Sequence, residues 1–301
     1  MSLKLEGVIP AMVTLFDDNL RVDEEAMRNH VDYLIEGGVH GLLAIGSLGE
    51  FVHLKLEERK KIAEIVVDQT NGRVPVIIGV GSTYTSDSVE LARHAKDIGA
   101  DALLLQAPYY FKYDEDTLYE HYREVAEKSD LPLIIYNYPA AVGLDLSPEL
   151  IARLAGIENI VGLKDTTTNI GHIQRVIYLA KKVKQDFAVF SGSDDLLLPN
   201  LIIGGQGAVT GVGNFWPELP VNIYKAYKRN DLEEARKFHN ILIDLREFLF
   251  TLYKPLIPVF KAALYLMGRN ATPHVRMPMQ PLTKVKQEKL KEKLKELGII
   301  K

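Results

Sequence analysis

Short apolar runs recur along the chain at a steady interval. They are GVIPAMVT (7–14), GLLAIG (41–46), PVIIGVG (75–81), DALLLQAP (101–108), PLIIYNYP (132–139), NIVGLKD (159–165), FAVFSGSD (187–194) and GAVTGVGN (207–214). Each is too short for a helix, rich in Val, Ile and Leu, and bounded by Gly, Pro or Asp. That is the pattern of strands buried on both faces of a parallel sheet. Their starts lie roughly 20–35 residues apart, the length of one strand–helix unit.

Polar positions between the runs supply helix signals. Asp23-Glu24-Glu25 leads into AMRNHVDYLIEGG, with Gly37-Gly38 as the stop; Thr85-Ser86-Asp87 opens DSVELARHAKDIGA; Ser147-Pro148-Glu149 opens PELIARLAG, with serine as the cap and proline in the first turn. Eight alternations predict an α/β fold, a closed (β/α)₈ barrel over residues 1–224, with an open doubly wound sheet as the alternative. From about Trp216 the alternation stops, and residues 225–301 read as a C-terminal helical extension packed on the barrel without chemistry of its own.

Composition narrows the function. The chain has 301 residues, 47% hydrophobic and 25% charged, with net charge −4, so no global basic field suggests nucleic acid or an anionic membrane as partner. The basic run KVKQEKLKEKLKEL (284–297) alternates lysine with glutamate and reads as a solvated helix face. There are no cysteines, which removes disulfides, thiolate metal sites and a cysteine nucleophile. The N-terminal stretch lacks the layout of a signal peptide and no apolar stretch approaches the ~20 residues of a membrane span, so a cytoplasmic location is expected. The eight histidines are scattered and no metal-binding motif occurs, so no metal or other cofactor is expected.

Barrel active sites lie at the carboxyl ends of the strands. This selects Ser47 and its neighbours, Tyr109 and Tyr110, Tyr136, Lys164, Asp194 with Asp195, and Gly211 to Asn214. Lys164 ends the run IVGL inside a strand that should be buried; a desolvated ammonium loses its proton more easily, and a free amine adds to ketones. The alternative is a strand-end lysine paired with Asp165 or a loop carboxylate. Tyr136 could shuttle protons on the adjacent strand, or simply fill the barrel. The turn GSLGE (46–50) matches a helix capping box through Ser47 and Glu50, and it also offers backbone N–H groups to a carboxylate. Asp194 and Asp195 could cap a helix or bind substrate hydroxyls, and the stretch GGQGAVTGVGN could cradle a phosphate.

At GSLGE, PYY, YNYP and GLKD, each at the end of its strand and in this order, the sequence resembles the N-acetylneuraminate lyase and dihydrodipicolinate synthase superfamily, which includes 2-keto-3-deoxygluconate aldolases. The resemblance covers essentially the whole chain. It implies that Lys164 is the Schiff-base lysine and Tyr136 the proton shuttle, with Ser47 and the backbone around Leu48 and Gly49 holding the substrate carboxylate. Tyr110 would reach across a subunit interface to complete a tyrosine relay in a homotetramer, a dimer of dimers. Thr166, Gly192, Asp194, Asp195 and Gly211 would bind the sugar portion.

Two departures bear on the substrate. Ala141 stands where dihydrodipicolinate synthases carry an arginine for the carboxylate of aspartate semialdehyde, so a dicarboxylic product would lose its bidentate anchor. Leu48 stands where most members of the family have threonine. The resulting expectation is a lyase that splits a 2-keto-3-deoxy sugar acid reversibly into pyruvate and an aldehyde. Dihydrodipicolinate synthesis, dehydration of a keto sugar acid through the same lysine, a metal- or flavin-dependent phosphate-binding barrel and a non-catalytic keto-acid binder are the alternatives.

Overall fold

The computed structural model describes residues 5–301; the first four residues of the N-terminal stretch lie outside it. Every apolar run contains one strand: β1 Gly7–Pro10, β2 Leu42–Ala44, β3 Val76–Gly79, β4 Ala102–Gln106, β5 Leu133–Asn137, β6 Ile160–Asp165, β7 Ala188–Ser191 and β8 Gly207–Thr210. All pairings are parallel, in the order β1-β8-β7-β6-β5-β4-β3-β2. The remaining edge closes just past β1, where Ala11 bridges Leu43 and the Met12 N–H donates to the Leu43 carbonyl at 2.8 Å. The fold is a (β/α)₈ barrel with a C-terminal helical part, and the open sheet is excluded.

Strand alternation separates two apolar layers. Ile9, Leu43, Ile77, Leu104, Ile134, Phe190 and Val209 fill the barrel interior. Val8, Leu42, Ile78, Leu103, Leu105, Ile135, Leu163 and Val189 belong to the outer layer, under the helices. Both layers are dry, which is why these strands read as continuous hydrophobic runs rather than alternating ones.

The helix signals hold where a short acceptor side chain precedes the first turn. Asp23 accepts from Ala26 N, and Ser147 from Leu150 N with Pro148 in the first turn. Thr85 departs from expectation. It is already the first residue of the helix Thr85–Asp97, and its hydroxyl is engaged by His121 Nδ1 at 3.0 Å.

The extension consists of helices Leu232–Leu252, Ile257–Leu266 and Lys284–Glu296, and the expected boundary at residue 224 falls within the barrel helix Glu218–Lys228. No single helix among the described residues is long and apolar enough to cross a membrane.

Asn214, fully buried after β8, ties the end of β1 to the loop that follows β8. Its Nδ2 donates to Ala11 O (2.8 Å) and Gly211 O (3.0 Å), and its Oδ1 accepts from Val13 N (2.9 Å). Removing it strands the buried Ala11 carbonyl and Val13 N–H just past β1, while Gly211 O keeps the Asn214 backbone N–H at 3.0 Å. Asn214→Ala should therefore lower unfolding free energy by about 2–4 kcal/mol in denaturant titration, with the folded far-UV spectrum retained.

Candidate active site

At the carboxyl ends of the strands a cavity of about 610 Å³ opens between the barrel and the extension. That is within the usual range for a small-molecule site. Lys164 and Tyr136 lie together there because β5 and β6 are in register at those residues. The Lys164 Nζ sits 4.0 Å from the centroid of the Tyr136 ring. Lys164 is 4% exposed; burial removes its hydration and lowers its pKa to about 7, with the Asp194 carboxylate pulling the other way. The reading of Lys164 as a lysine neutralised by Asp165 does not fit: Asp165 accepts instead from the Thr167 N–H and hydroxyl and from Asn137 Nδ2 (3.2 Å), with His172 Nε2 at 3.3 Å.

Burial also acts on Tyr136, pushing its phenol up to about 12, opposed by the hydroxyls of Ser47 and Thr166 beside it. Its hydroxyl lies 3.4 Å from Ser47 Oγ. A phenol so placed stays protonated at neutral pH and is a donor before it is a base.

The turn Gly46–Glu50 faces the two residues across the barrel mouth. Gly49 N closes on Gly46 O at 3.0 Å and Glu50 N on Ser47 O at 3.1 Å, while the N–H groups of Ser47 and Leu48 find no acceptor among the described residues. The capping-box reading fails here. Glu50 has φ +56, and its carboxylate is drawn away to Lys261 and to the Arg276 N–H (3.0 Å). The long helix starts only at Leu56, where Glu58 caps the Lys55 N–H at 2.9 Å.

Ser47, Leu48, Tyr136, Ala141, Lys164, Thr166, Gly192, Asp194 and Gly211 all line the cavity. Gly192 has to lack a side chain: a Cβ there would sit 1.9 Å from Thr166 Oγ1 and 3.1 Å from Lys164 Cε. Three expected residues fall elsewhere. Gly49 is inside the turn, its carbonyl accepting from Thr14 Oγ1 at 2.7 Å. Asp195 is outside the lining, held by the Ser193 hydroxyl and by Arg246 Nε at 3.3 Å. Tyr110 is 86% exposed, at φ +91, away from the cavity of its own chain.

Asp194 does not cap the next helix. Its oxygens accept from Gly211 N at 3.0 and 3.2 Å and Val212 N at 3.3 and 3.4 Å. Burial raises its pKa to about 6, opposed first by the Val212 N–H. Those N–H groups are the ones a phosphate would need, so the phosphate-cradle reading falls with them. No group of three or more His, Cys, Asp or Glu side chains able to hold a metal occurs among the described residues.

Sequence reasoning missed the far wall. Arg246, Phe250, Pro255, Leu256, Ile257 and Phe260 of the extension line the cavity, so the extension is part of the site. Their helical periodicity marked a buried face but not what that face covers.

Residues 4–297 match the dihydrodipicolinate synthetase family. A 4-hydroxy-tetrahydrodipicolinate synthase of Methanopyrus kandleri is 41% identical over 302 residues, covering 100% of this chain and 99% of its own. YagE of Escherichia coli, provisionally named a 2-dehydro-3-deoxy-D-gluconate aldolase, is 38% identical over 97% of each chain. The crystal structure of YagE in complex with pyruvate, described as a prophage protein of the dihydrodipicolinic acid synthase family, superposes with a TM-score of 0.95 over 99% of this chain and 100% of that one, at 37% identity. The fold and site thus define a barrel enzyme of the pyruvate-dependent lyase class. The chain belongs to the dihydrodipicolinate synthetase family.

The lowered lysine pKa makes a measurable prediction. Below about pH 7 Lys164 is an ammonium, and the free amine grows as pH rises through that value. Labelling of Lys164 by a small amine-reactive reagent, followed by peptide mass spectrometry, should have its midpoint near pH 7. Exposed lysines titrate near 10.4, and a midpoint there for Lys164 would refute the desolvation argument.

Proposed function

We propose that this enzyme cleaves a 2-keto-3-deoxy sugar acid reversibly to pyruvate and an aldehyde through a Schiff base on Lys164. The observation that carries the reading is the dried-out Lys164 amine, stacked over Tyr136 on the cavity floor.

The amine adds to the keto carbon of the substrate, and Tyr136 protonates the departing hydroxyl, releasing water and leaving an iminium and a phenolate. The phenolate takes the proton of the hydroxyl on the fourth carbon. The bond between the third and fourth carbons breaks, the aldehyde leaves, and the electron pair passes to the iminium as an enamine. Tyr136 returns its proton to the enamine carbon, and water adds to the resulting iminium to free pyruvate and the amine. The electrons are stored on the substrate itself, so the sequence of steps needs no cofactor.

Ser47 and the N–H groups of Ser47 and Leu48 are the donors for the substrate carboxylate. Leu48 adds an apolar wall and no hydroxyl, which leaves the Ser47–Tyr136 pair as the hydroxyl relay of this chain. Thr166, Asp194 and Gly211 face the remaining hydroxyls. In solution we propose a cytoplasmic homotetramer: the exposure of Tyr110 and Phe111, neither of which lines the cavity of its own chain, supports a role for Tyr110 in a neighbouring subunit's relay.

The Methanopyrus kandleri relative favours a second reading, condensation of pyruvate with aspartate semialdehyde. Against it, Ala141 brings only a methyl group to the cavity wall where that chemistry would need a guanidinium.

Lys164→Ala should abolish the adduct trapped by borohydride with pyruvate. Tyr136→Phe should lower kcat by about 10²–10³-fold while KM changes less than about threefold. Release of pyruvate from 2-keto-3-deoxygluconate, with no turnover of aspartate semialdehyde, separates the two readings; the reverse result establishes the synthase.

A further inference from the structure

A second lysine is buried near the site and takes no part in the chemistry above. Lys261, on the extension helix Ile257–Leu266, is fully inaccessible. Its ammonium donates to Glu50 Oε1 and to the His274 carbonyl (2.9 Å), and lies 4.0 Å from the centroid of the Phe16 ring. Glu50, 1% exposed, also accepts from the Arg276 N–H at 3.0 Å, with His53 Nδ1 at 3.4 Å from the same oxygen. Arg276 is itself anchored by Glu58, by the His53 carbonyl (3.0 Å) and by the Leu20 carbonyl (2.7 Å). One carboxylate therefore gathers donors from the extension helix and the segment after it.

That carboxylate belongs to the residue that closes the turn Gly46–Glu50, through its N–H on Ser47 O at 3.1 Å. Glu50 holds a left-handed backbone conformation, which a non-glycine residue keeps only when its surroundings impose it. A buried charge that loses its partner relocates or draws in water, and any movement of Glu50 is transmitted to Ser47. On the other side of the pair, Ile257 and Phe260, on the same helix as Lys261, line the cavity itself.

We propose that the Lys261–Glu50 ion pair positions the turn that receives the substrate carboxylate, and so couples that end of the cavity to the wall formed by the extension. Both are positioning residues, acting through Ser47 and Leu48. The inference rests on the function proposed above, in which that turn is the carboxylate site.

The test compares two ketones, each trapped on the intact protein with borohydride over a concentration series. Pyruvate carries a carboxylate; acetone does not, yet forms the same iminium on Lys164. In Lys261→Met the half-saturating pyruvate concentration should rise about tenfold, the loss expected for a misplaced charge-assisted hydrogen bond. The maximal rate of trapping should stay within about threefold, and the acetone series should not move. A purely structural role would shift both ketones together or neither, and either result overturns the inference. Should Lys261→Met not fold, the double variant Glu50→Gln/Lys261→Met, which leaves no buried charge unpaired, carries the same expectation. If the unsubstituted enzyme gives no adduct on Lys164 with either ketone, the Schiff-base function itself fails, a result distinct from all of these.

Discussion

A parallel sheet of eight strands has two raw edges until its first and second strands meet, and the short contact between Ala11, Met12 and Leu43 removes them. Closure gives every strand an interior face, and that face is what dries Lys164 and Tyr136. In an open doubly wound sheet the same two residues would still be neighbours in register, but helices packed on both faces, and not the side chains of the other strands, would set their surroundings. Beside that closure Asn214, in the loop after β8, holds the chain leaving β1 to the chain leaving β8 with one side chain. Fold and reactivity therefore share a single constraint.

The electrostatics of the cavity follow from that enclosure. The same loss of water lowers the Lys164 pKa and raises those of Tyr136 and Asp194, so each is displaced toward its neutral form. The groups differ in how they are compensated. Asp194 is cradled by two backbone N–H groups, whereas the Lys164 amine faces only an aromatic ring and a more distant carboxylate. Desolvation with so little compensation is unfavourable to an ammonium and favourable to a nucleophile. Glu50 and Lys261 show the opposite solution, in which two buried charges satisfy each other and their neighbours, and the result is rigidity instead of reactivity.

Much of this was legible in the sequence. Eight apolar runs located the strands, because a layer buried on both faces leaves no polar alternation to confuse the pattern. The strand-end rule then selected Lys164, Tyr136, Ser47 and Asp194. Local pattern failed where a side chain had two possible partners at different distances along the chain. Ser47 and Glu50 have capping-box spacing, yet the stronger partner of Glu50 is a lysine 211 residues away. Asp195 looks identical to Asp194 in sequence; one step along a tight turn sends it to Arg246 instead of into the cavity. Gly211 and Val212 looked like a phosphate cradle because nothing local reveals that a carboxylate already fills it. Arg246 was invisible for a simpler reason: a helical face signals burial and says nothing about what it buries against.

The wall supplied by Arg246, Phe250, Leu256, Ile257 and Phe260 has a consequence for how such a protein diversifies. Groups proposed to make and break bonds sit on β5 and β6, deep in the barrel, while much of the surface facing the far end of a ligand belongs to a segment outside the eightfold repeat. Substitutions in that segment can reshape the ligand's outer half without disturbing a strand, its register or the dryness of Lys164. Two relatives of nearly equal similarity bear the names of different activities, and such a division leaves room for a wall to change while the strands beneath it stay as they are.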